Sequence, residues 1–217
     1  MGDYLAEIKA NLEERIPEYG SKDFEKMKDQ IRKELSKKEN DLLLITRSLK
    51  VLILGDWHTK EKAQLLWNVR NLLLKNGVYA ETVDSYYDPK RRGGLSQLQV
   101  LQTCCTLHQL IVFIDGEGKG TVTEQTYLAR EYPFHGKIIF FIDESKFDEL
   151  KDKPNSYIRS FPTIIPYKKS DLLDTIVIFS RLRIYRLAGI IQQQETSGKG
   201  LKSPQYEPWK ERLARRR

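Results

Sequence analysis

From residue 50 onward the sequence alternates strand-length apolar runs with amphipathic helical segments, and no other feature restricts the fold as tightly. Val51-Leu52-Ile53-Leu54 has no polar position, as expected of a parallel strand covered on both faces, and it ends at Gly55-Asp56. Residues 62–75 then place Leu65, Leu66, Val69, Leu72 and Leu73 on one helical face, and Asn76-Gly77 supplies the stop. Residues 78–83 read as a second strand, 84–94 as a polar loop and 95–106 as a helix. Leu110-Ile111-Val112-Phe113-Ile114, closed by Asp115, is the strongest strand signal in the chain. A loop at 116–120 opens a helix at 121–131, and 137–142 forms a fourth strand.

Four β-α steps in series predict an α/β fold with a doubly wound, mostly parallel sheet of the Rossmann or flavodoxin-like kind and right-handed crossovers. Farther on, the pattern predicts a short helix at 147–151, a fifth strand at 163–167 and one long C-terminal helix at 171–194, capped by Ser170 or Asp171. Ahead of the sheet, Leu5, Ile8, Leu12 and Ile16 recur at helical spacing until Pro17 and Gly20. Ser21 can then cap a second helix whose stripe is Phe24, Met27, Ile31 and Leu35. These two segments predict an N-terminal helical hairpin, followed by a further short helix or strand at 42–45. The expected organisation is a helical appendage at 1–49, a Rossmann-like α/β domain at 50–194 and a basic linker-like tail at 195–217, where Gly198, Gly200, Pro204 and Pro208 interrupt regular structure.

Several classes of protein are excluded. The longest apolar runs are strand-length, far below the roughly 20 residues of a membrane span, so no membrane partner is expected. The amphipathic start does not resemble a secretory leader, which predicts a cytoplasmic location. The two cysteines, Cys104 and Cys105, are neighbours and cannot staple distant segments. Three histidines, His58, His108 and His135, stand at no helical ligand spacing, so no metal site is expected. The net charge of +7 is unevenly spread: residues 1–50 carry 11 basic and 11 acidic side chains, whereas residues 198–217 carry 7 basic and 2 acidic. The excess therefore belongs mainly to a tail ending Trp209-Lys210-Glu211-Arg212-Leu213-Ala214-Arg215-Arg216-Arg217, a surface for a protein or nucleic-acid partner. The N-terminal apolar stripes likewise offer surface for a homo-oligomer, or else pack on the following domain.

Ligands of open parallel sheets bind beyond the carboxyl ends of the strands. That rule selects Gly55, Asp56, Trp57 and His58 after the first strand, residues 84–88 after the second, and residues 115–124 after the third. Glycines let backbone approach a ligand, a helix N-terminus supplies free N–H groups, and carboxylates accept from ribose hydroxyls. Trp57 can stack a base or simply pack, and His58 can meet a base or phosphate or stay solvated. Tyr86, Tyr87 and Asp88 can wall a nucleoside pocket with Arg91 and Arg92 toward phosphate, or the loop can be plain exposed chain. The glycine spacing at 116–120 is not that of a Walker A loop, and the first turn lacks the dinucleotide fingerprint, so hydride transfer from a nicotinamide cofactor is disfavoured and no cofactor is expected.

What remains is Asp115 followed by Gly116, Gly118, Gly120, Thr121 and Glu124, with Leu128-Ala129 one turn on and Gly136-Lys137-Ile138-Ile139 opening the next strand. This run resembles the nucleoside 2-deoxyribosyltransferase family and its relatives. Those are nucleoside-phosphate N-glycosidases, nucleotide-binding SLOG domains and, more distantly, Toll/interleukin-1 receptor-like NAD-cleaving domains. The likeness covers residues 107–141, with a weaker parallel at 51–88. It implies that Glu124 is the nucleophile or the carboxylate that shields a ribosyl cation, with Asp88 or Asp115 engaging ribose or base. The ligand expected is a nucleoside, a nucleotide or an NAD-like molecule. Read without the resemblance, Glu124 is a first-turn glutamate favoured by the helix dipole. Three functions therefore stay open: an N-glycosidase or (deoxy)ribosyltransferase-like enzyme, a nucleotide sensor with the same pocket but no turnover, and an adaptor that binds protein or nucleic acid through its ends.

Overall fold

Apolar side chains on both faces of the central strands require helices on both sides of the sheet, and the chain supplies them. The structure, a computed structural model, describes residues 21–87 and 94–196. In chain order the elements are α1 (Lys22–Ser48), β1 (Lys50–Leu54), α2 (Lys60–Lys75), β2 (Tyr79–Thr82), the single turn α3 (Asp84–Tyr87) and α4 (Gln97–Leu107). These are followed by β3 (Leu110–Ile114), α5 (Lys119–Arg130), the turn α6 (Tyr132–His135), β4 (Ile138–Asp143), α7 (Glu144–Leu150), a 3-10 turn (Tyr157–Ser160), β5 (Ile164–Tyr167) and α8 (Leu172–Thr196). The five strands are all parallel, in the order β2-β1-β3-β4-β5. This is the doubly wound α/β sheet expected from the alternation, with its reversal of strand order between β1 and β3.

Two compact units divide within α1, one reaching Leu43 and the other starting at Leu44. The first helix of the expected N-terminal hairpin and the basic tail from 197 onward lie outside the described residues. The second helix of that hairpin is present and longer than expected. Ser21 accepts from the Phe24 amide through its hydroxyl, and α1 then continues through 42–45 to Ser48 without a separate element there. No glycine or proline interrupts residues 22–48, so nothing stops the helix. In the second unit its last turn buries Ile45, Thr46 and Ser48.

Alternation sorts the strand residues onto two faces. Leu52, Leu54, Ile111, Phe113, Ile138, Phe140 and Ile142 join Val100, Leu101, Cys104 and Cys105 of α4 and Leu128 of α5 in one core. The intervening Val51, Ile53, Val112, Ile139 and Phe141, equally buried, point to the opposite side. There α2 packs on β1 and β2, and α8 packs on β3 and α2. Helix ends follow ordinary signals. Thr59 caps α2 by accepting from the Lys62 amide, and Ser96 and Gln99 form a reciprocal capping box at α4. Gly77 takes a φ of +77° just beyond the C-cap of α2, a conformation that costs glycine little.

Two positions refine the expected boundaries. α5 begins at Lys119 rather than at 121, with Gly118 as its N-cap, so Glu124 sits in the second turn and not the first. In β5, Phe140 donates its amide to the Thr163 carbonyl. In a parallel ladder this turns the backbone of residues 163, 165 and 167 toward β4 and that of 164 and 166 outward. Pro166 therefore occupies a place on the edge strand where no ladder donor is needed.

Phe140 packs in a three-ring cluster with Phe113, at 5.4 Å between centroids, and Phe161, at 4.5 Å, which are 6.5 Å from each other, while Tyr157 meets Phe140 edge to face at 6.1 Å. Removing a ring from this cluster leaves a cavity that surrounding strands cannot close. Phe140→Ala is expected to cost about 3–5 kcal/mol, read as a lower denaturation midpoint at unchanged slope.

Candidate functional site

A cleft of about 1340 Å³ opens above the carboxyl ends of β1 and β3, at the point where strand order reverses. Its walls come from the β1–α2 loop, the β3–α5 loop, the first two turns of α5, the first turns of α4, and Asp84 of α3. Eight residues singled out from the sequence line it: Gly55, Asp56, Trp57, His58, Gly118, Gly120, Thr121 and Glu124. Lys119 and Thr123, from the selected stretch 115–124, line it as well, and so does Lys62 of α2, which the strand-end rule does not select. Asp88 lies outside the described residues, as do Arg91 and Arg92.

Asp56 holds the cleft together. Its Oδ2 accepts from the Lys62 ammonium at 2.6 Å, the Gly118 amide at 3.1 Å and the Glu117 amide at 3.2 Å, and its Oδ1 accepts from the His58 amide at 2.8 Å. Burial works against the charge, yet the Lys62 hydrogen bond and the three amides outweigh it and hold the carboxyl down at about 2. The β3–α5 loop closes over this side chain so tightly that a Cβ at Gly116 would stand 2.5 Å from the Asp56 Cβ, and one at Gly118 would stand 2.6 Å from its Oδ1. The two glycines are therefore demanded by the aspartate rather than by a ligand. Asp56 lines the cleft with Oδ2 taken by three donors and Oδ1 by one, so its first role is a brace between the two loops rather than the plain ribose acceptor that a strand-end aspartate suggests.

Asp115 is not brought to the cleft. Its side chain, 5% exposed, pairs with Lys146 of α7 at 2.5 Å and accepts from the Tyr157 hydroxyl at 3.2 Å. These contacts turn it toward the β4–β5 side, away from the ligand role that the resemblance implied.

Glu124 lies in the cleft wall, 8% exposed, with Thr121 buried three residues earlier on the same helical face. The α5 N-terminus carries no side-chain cap, and its first intrahelical donor is the Val122 amide, which reaches the Gly118 carbonyl. The amides of Lys119, Gly120 and Thr121 precede that bond and form the positive end of the helix dipole at the cleft. Burial is the main cause that pushes the Cys104 thiol up to about 12, with Glu81 and Glu124 adding to it. Both cysteines are buried packing residues of α4. Trp57 meets Trp67 edge to face at 5.9 Å, and the Trp67 indole donates to Asp84 at 3.3 Å, so the aromatic wall of the cleft is fixed from behind.

One buried cluster escaped the sequence reading. Glu81 of β2 accepts from the Tyr79 hydroxyl at 2.7 Å and the Tyr86 hydroxyl at 2.5 Å, and its Oε2 stands 3.0 Å from His108 Nε2, while His108 Nδ1 faces the Cys104 carbonyl at 2.6 Å. The His108 hydrogen bond is the largest influence on Glu81; with the two tyrosines and Lys50 it overcomes burial and holds the carboxyl far below its usual range. Tyr86 belongs to the same helical turn as Asp84, so this network anchors the turn that delivers Asp84 to the cleft. The available signal was a glutamate in a strand flanked by Ala80 and Thr82, which needs a partner wherever it is covered. Among the described residues, no group of three or more His, Cys, Asp or Glu side chains is placed to hold a metal ion. No helix among them is long and apolar enough to cross a membrane.

No family model and no curated protein matches the chain. Among solved structures it is similar to a conserved protein from Enterococcus faecalis V583, with a TM-score of 0.37 and 11% identity over 59% of this chain and 96% of that one. A likeness of that size carries no functional argument.

Asp56 generates the test of this geometry. Asp56→Ala leaves the Glu117 and Gly118 amides without their acceptor and is expected to cost about 2–4 kcal/mol. The wild-type carboxyl is depressed in the folded state, so its contribution is complete above the unfolded value of about 3.9 and is lost as pH falls toward 2. Urea midpoints between pH 5 and pH 2 should fall more steeply for wild type than for Asp56→Ala.

Proposed function

We propose that the chain is a nucleotide-directed N-glycosidase or ribosyl transferase whose cleft holds a nucleoside, nucleotide or NAD-like molecule. The observation that supports this reading most is Glu124, a buried carboxylate in the wall of the switch-point cleft. It lies one turn inside the helix whose open amides and Lys119 suit a phosphate. The second-turn position set by Gly118 weakens the alternative that Glu124 merely favours the helix dipole, since that effect fades beyond the first turn.

In this mechanism the bond from the anomeric carbon to the base nitrogen breaks and its electron pair leaves with the base. Positive charge builds on the ring oxygen and anomeric carbon, and a carboxylate on the opposite face stabilises it or adds to it covalently. Water then supplies the hydroxyl to the sugar and a proton to the base; in transfer, a second base takes the place of water. Thr121 would position the sugar, and the Trp57 face would cover the base.

A second reading, ligand sensing without turnover, draws on Asp56 and Asp115. Of the aspartates expected near the ligand, these two are committed elsewhere, to the loop brace and to Lys146, and Asp88 lies outside the described residues. Binding alone does not need a second carboxylate at the ligand.

Purified full-length protein, wild type and Glu124→Gln, should be incubated with NAD, nucleosides and nucleoside monophosphates and assayed for free base by mass spectrometry. Release by wild type, reduced about 10²–10⁴-fold in Glu124→Gln at an unchanged melting temperature, is the expected result. A ligand-induced thermal shift without any release selects the sensor. Neither shift nor release overturns both.

A further inference from the structure

Helix α8 presents two rows of residues at four-residue spacing on opposite sides. The inner row, Ile176, Ser180, Ile184 and Ala188, is fully buried. The outer row is Asp174, Ile178, Leu182, Arg186 and Ile190: Ile178 is 54%, Leu182 61% and Ile190 43% exposed, and Asp174 and Arg186, which flank the Ile178–Leu182 pair, are exposed too. Phe179, 38% exposed, flanks it. A helix that packs on one neighbouring layer needs one apolar stripe, so the outer row is surplus to the packing of the described residues. No ion pair among the described residues takes up Asp174 or Arg186.

From Asp174 to Arg186 the order is acid, apolar, apolar, base. Such a row is its own complement when a second copy runs antiparallel to it. The midpoint falls between Ile178 and Leu182, which brings Ile178 onto the partner's Leu182 and Asp174 onto the partner's Arg186, each contact made twice. A two-fold interface imposes this reciprocity, residue i meeting j while j meets i. A parallel pairing would instead set aspartate on aspartate and arginine on arginine. Rows spaced by four also form the ridges that interdigitate in the commonest helix packing, with axes crossing at about −50°.

We propose that α8 is a homodimer interface whose occupant is a second copy of this chain, joined by Ile178 and Leu182 and set in register by the Asp174–Arg186 pair. The acid-to-base order favours this partner over a nucleic acid or an anionic surface, neither of which offers a cation to answer Asp174. The inference is independent of what the cleft binds.

The test is sedimentation equilibrium of the full-length chain with four variants. Wild type is expected to dimerise. Leu182→Asp should be monomeric, and Asp174→Arg and Arg186→Asp should each weaken the dimer by about tenfold or more, since like charges then meet twice. The doubly exchanged Asp174→Arg/Arg186→Asp protein should recover to within about threefold of wild type, because only the direction of the pair is reversed. That recovery is a readout which a misfolded variant cannot give. A wild type that stays monomeric to about 100 μM, well above the range of stable dimers, overturns the proposal. So does a dimer indifferent to the single reversals, which would place the contact on another face such as Ile31 and Leu35 of α1. Failure of the double exchange to restore association overturns it as well.

Discussion

A single carboxylate organises the carboxyl end of this sheet. The β1–α2 and β3–α5 loops leave adjacent strands at the point where the winding reverses, and their helices lie on opposite faces, so nothing in the secondary structure ties them together. Asp56 supplies the tie, one oxygen gathering two amides of the second loop and the ammonium of α2, the other fixing the turn of its own loop. The close approach this requires excludes a side chain at Gly116 and Gly118. With those amides occupied, the Lys119, Gly120 and Thr121 amides form the open end of α5 at the cleft. The brace thus decides which part of the loop can meet a ligand.

The cleft has a mixed lining with a clear division of labour. Trp57, backed by Trp67, gives a rigid apolar wall; Thr121 and Glu124 give a buried polar pair; Lys62 is partly neutralised by Asp56, whereas Lys119 stands exposed at the rim. The Glu81–His108 pair lies behind α3 and holds Tyr86, while Asp84 on the same turn answers to Trp67. Polar contacts of this kind fix geometry when all their members find partners.

The sheet was legible because its information is local. β1, β3 and β4 are apolar at nearly every position, and a strand covered on both faces can hardly be written otherwise. The start of α5 was misjudged by two residues because Gly118 caps it without a side chain, leaving Thr121 as the only visible cap signal. The length of α1 was missed because its outer face is polar through the middle and only the absence of a breaker marks its continuity. Position was legible: eight of the residues named at the strand ends line one cleft. Their roles were less legible. The partners of Asp56 at Glu117 and Gly118 stand 61 and 62 residues away, and those of Asp115 at Lys146 and Tyr157 stand 31 and 42 away. An aspartate after a strand reads the same whether it will hold a ligand, a loop or a lysine. Glu81 and His108, 27 residues apart, pose the same difficulty.

Pro166 has a consequence for how copies of this chain can meet. An open sheet exposes unpaired backbone along its outermost strand, and β5 is such a strand. Its outward positions are 164 and 166, and the second has no N–H to offer. A foreign strand approaching this edge would find its ladder broken after one residue, which guards the β5 edge, though not the β2 edge, against growth by strand addition. A contact made on this side of the sheet must therefore rest on side chains rather than backbone, and side-chain recognition depends on sequence and can be confined to one partner.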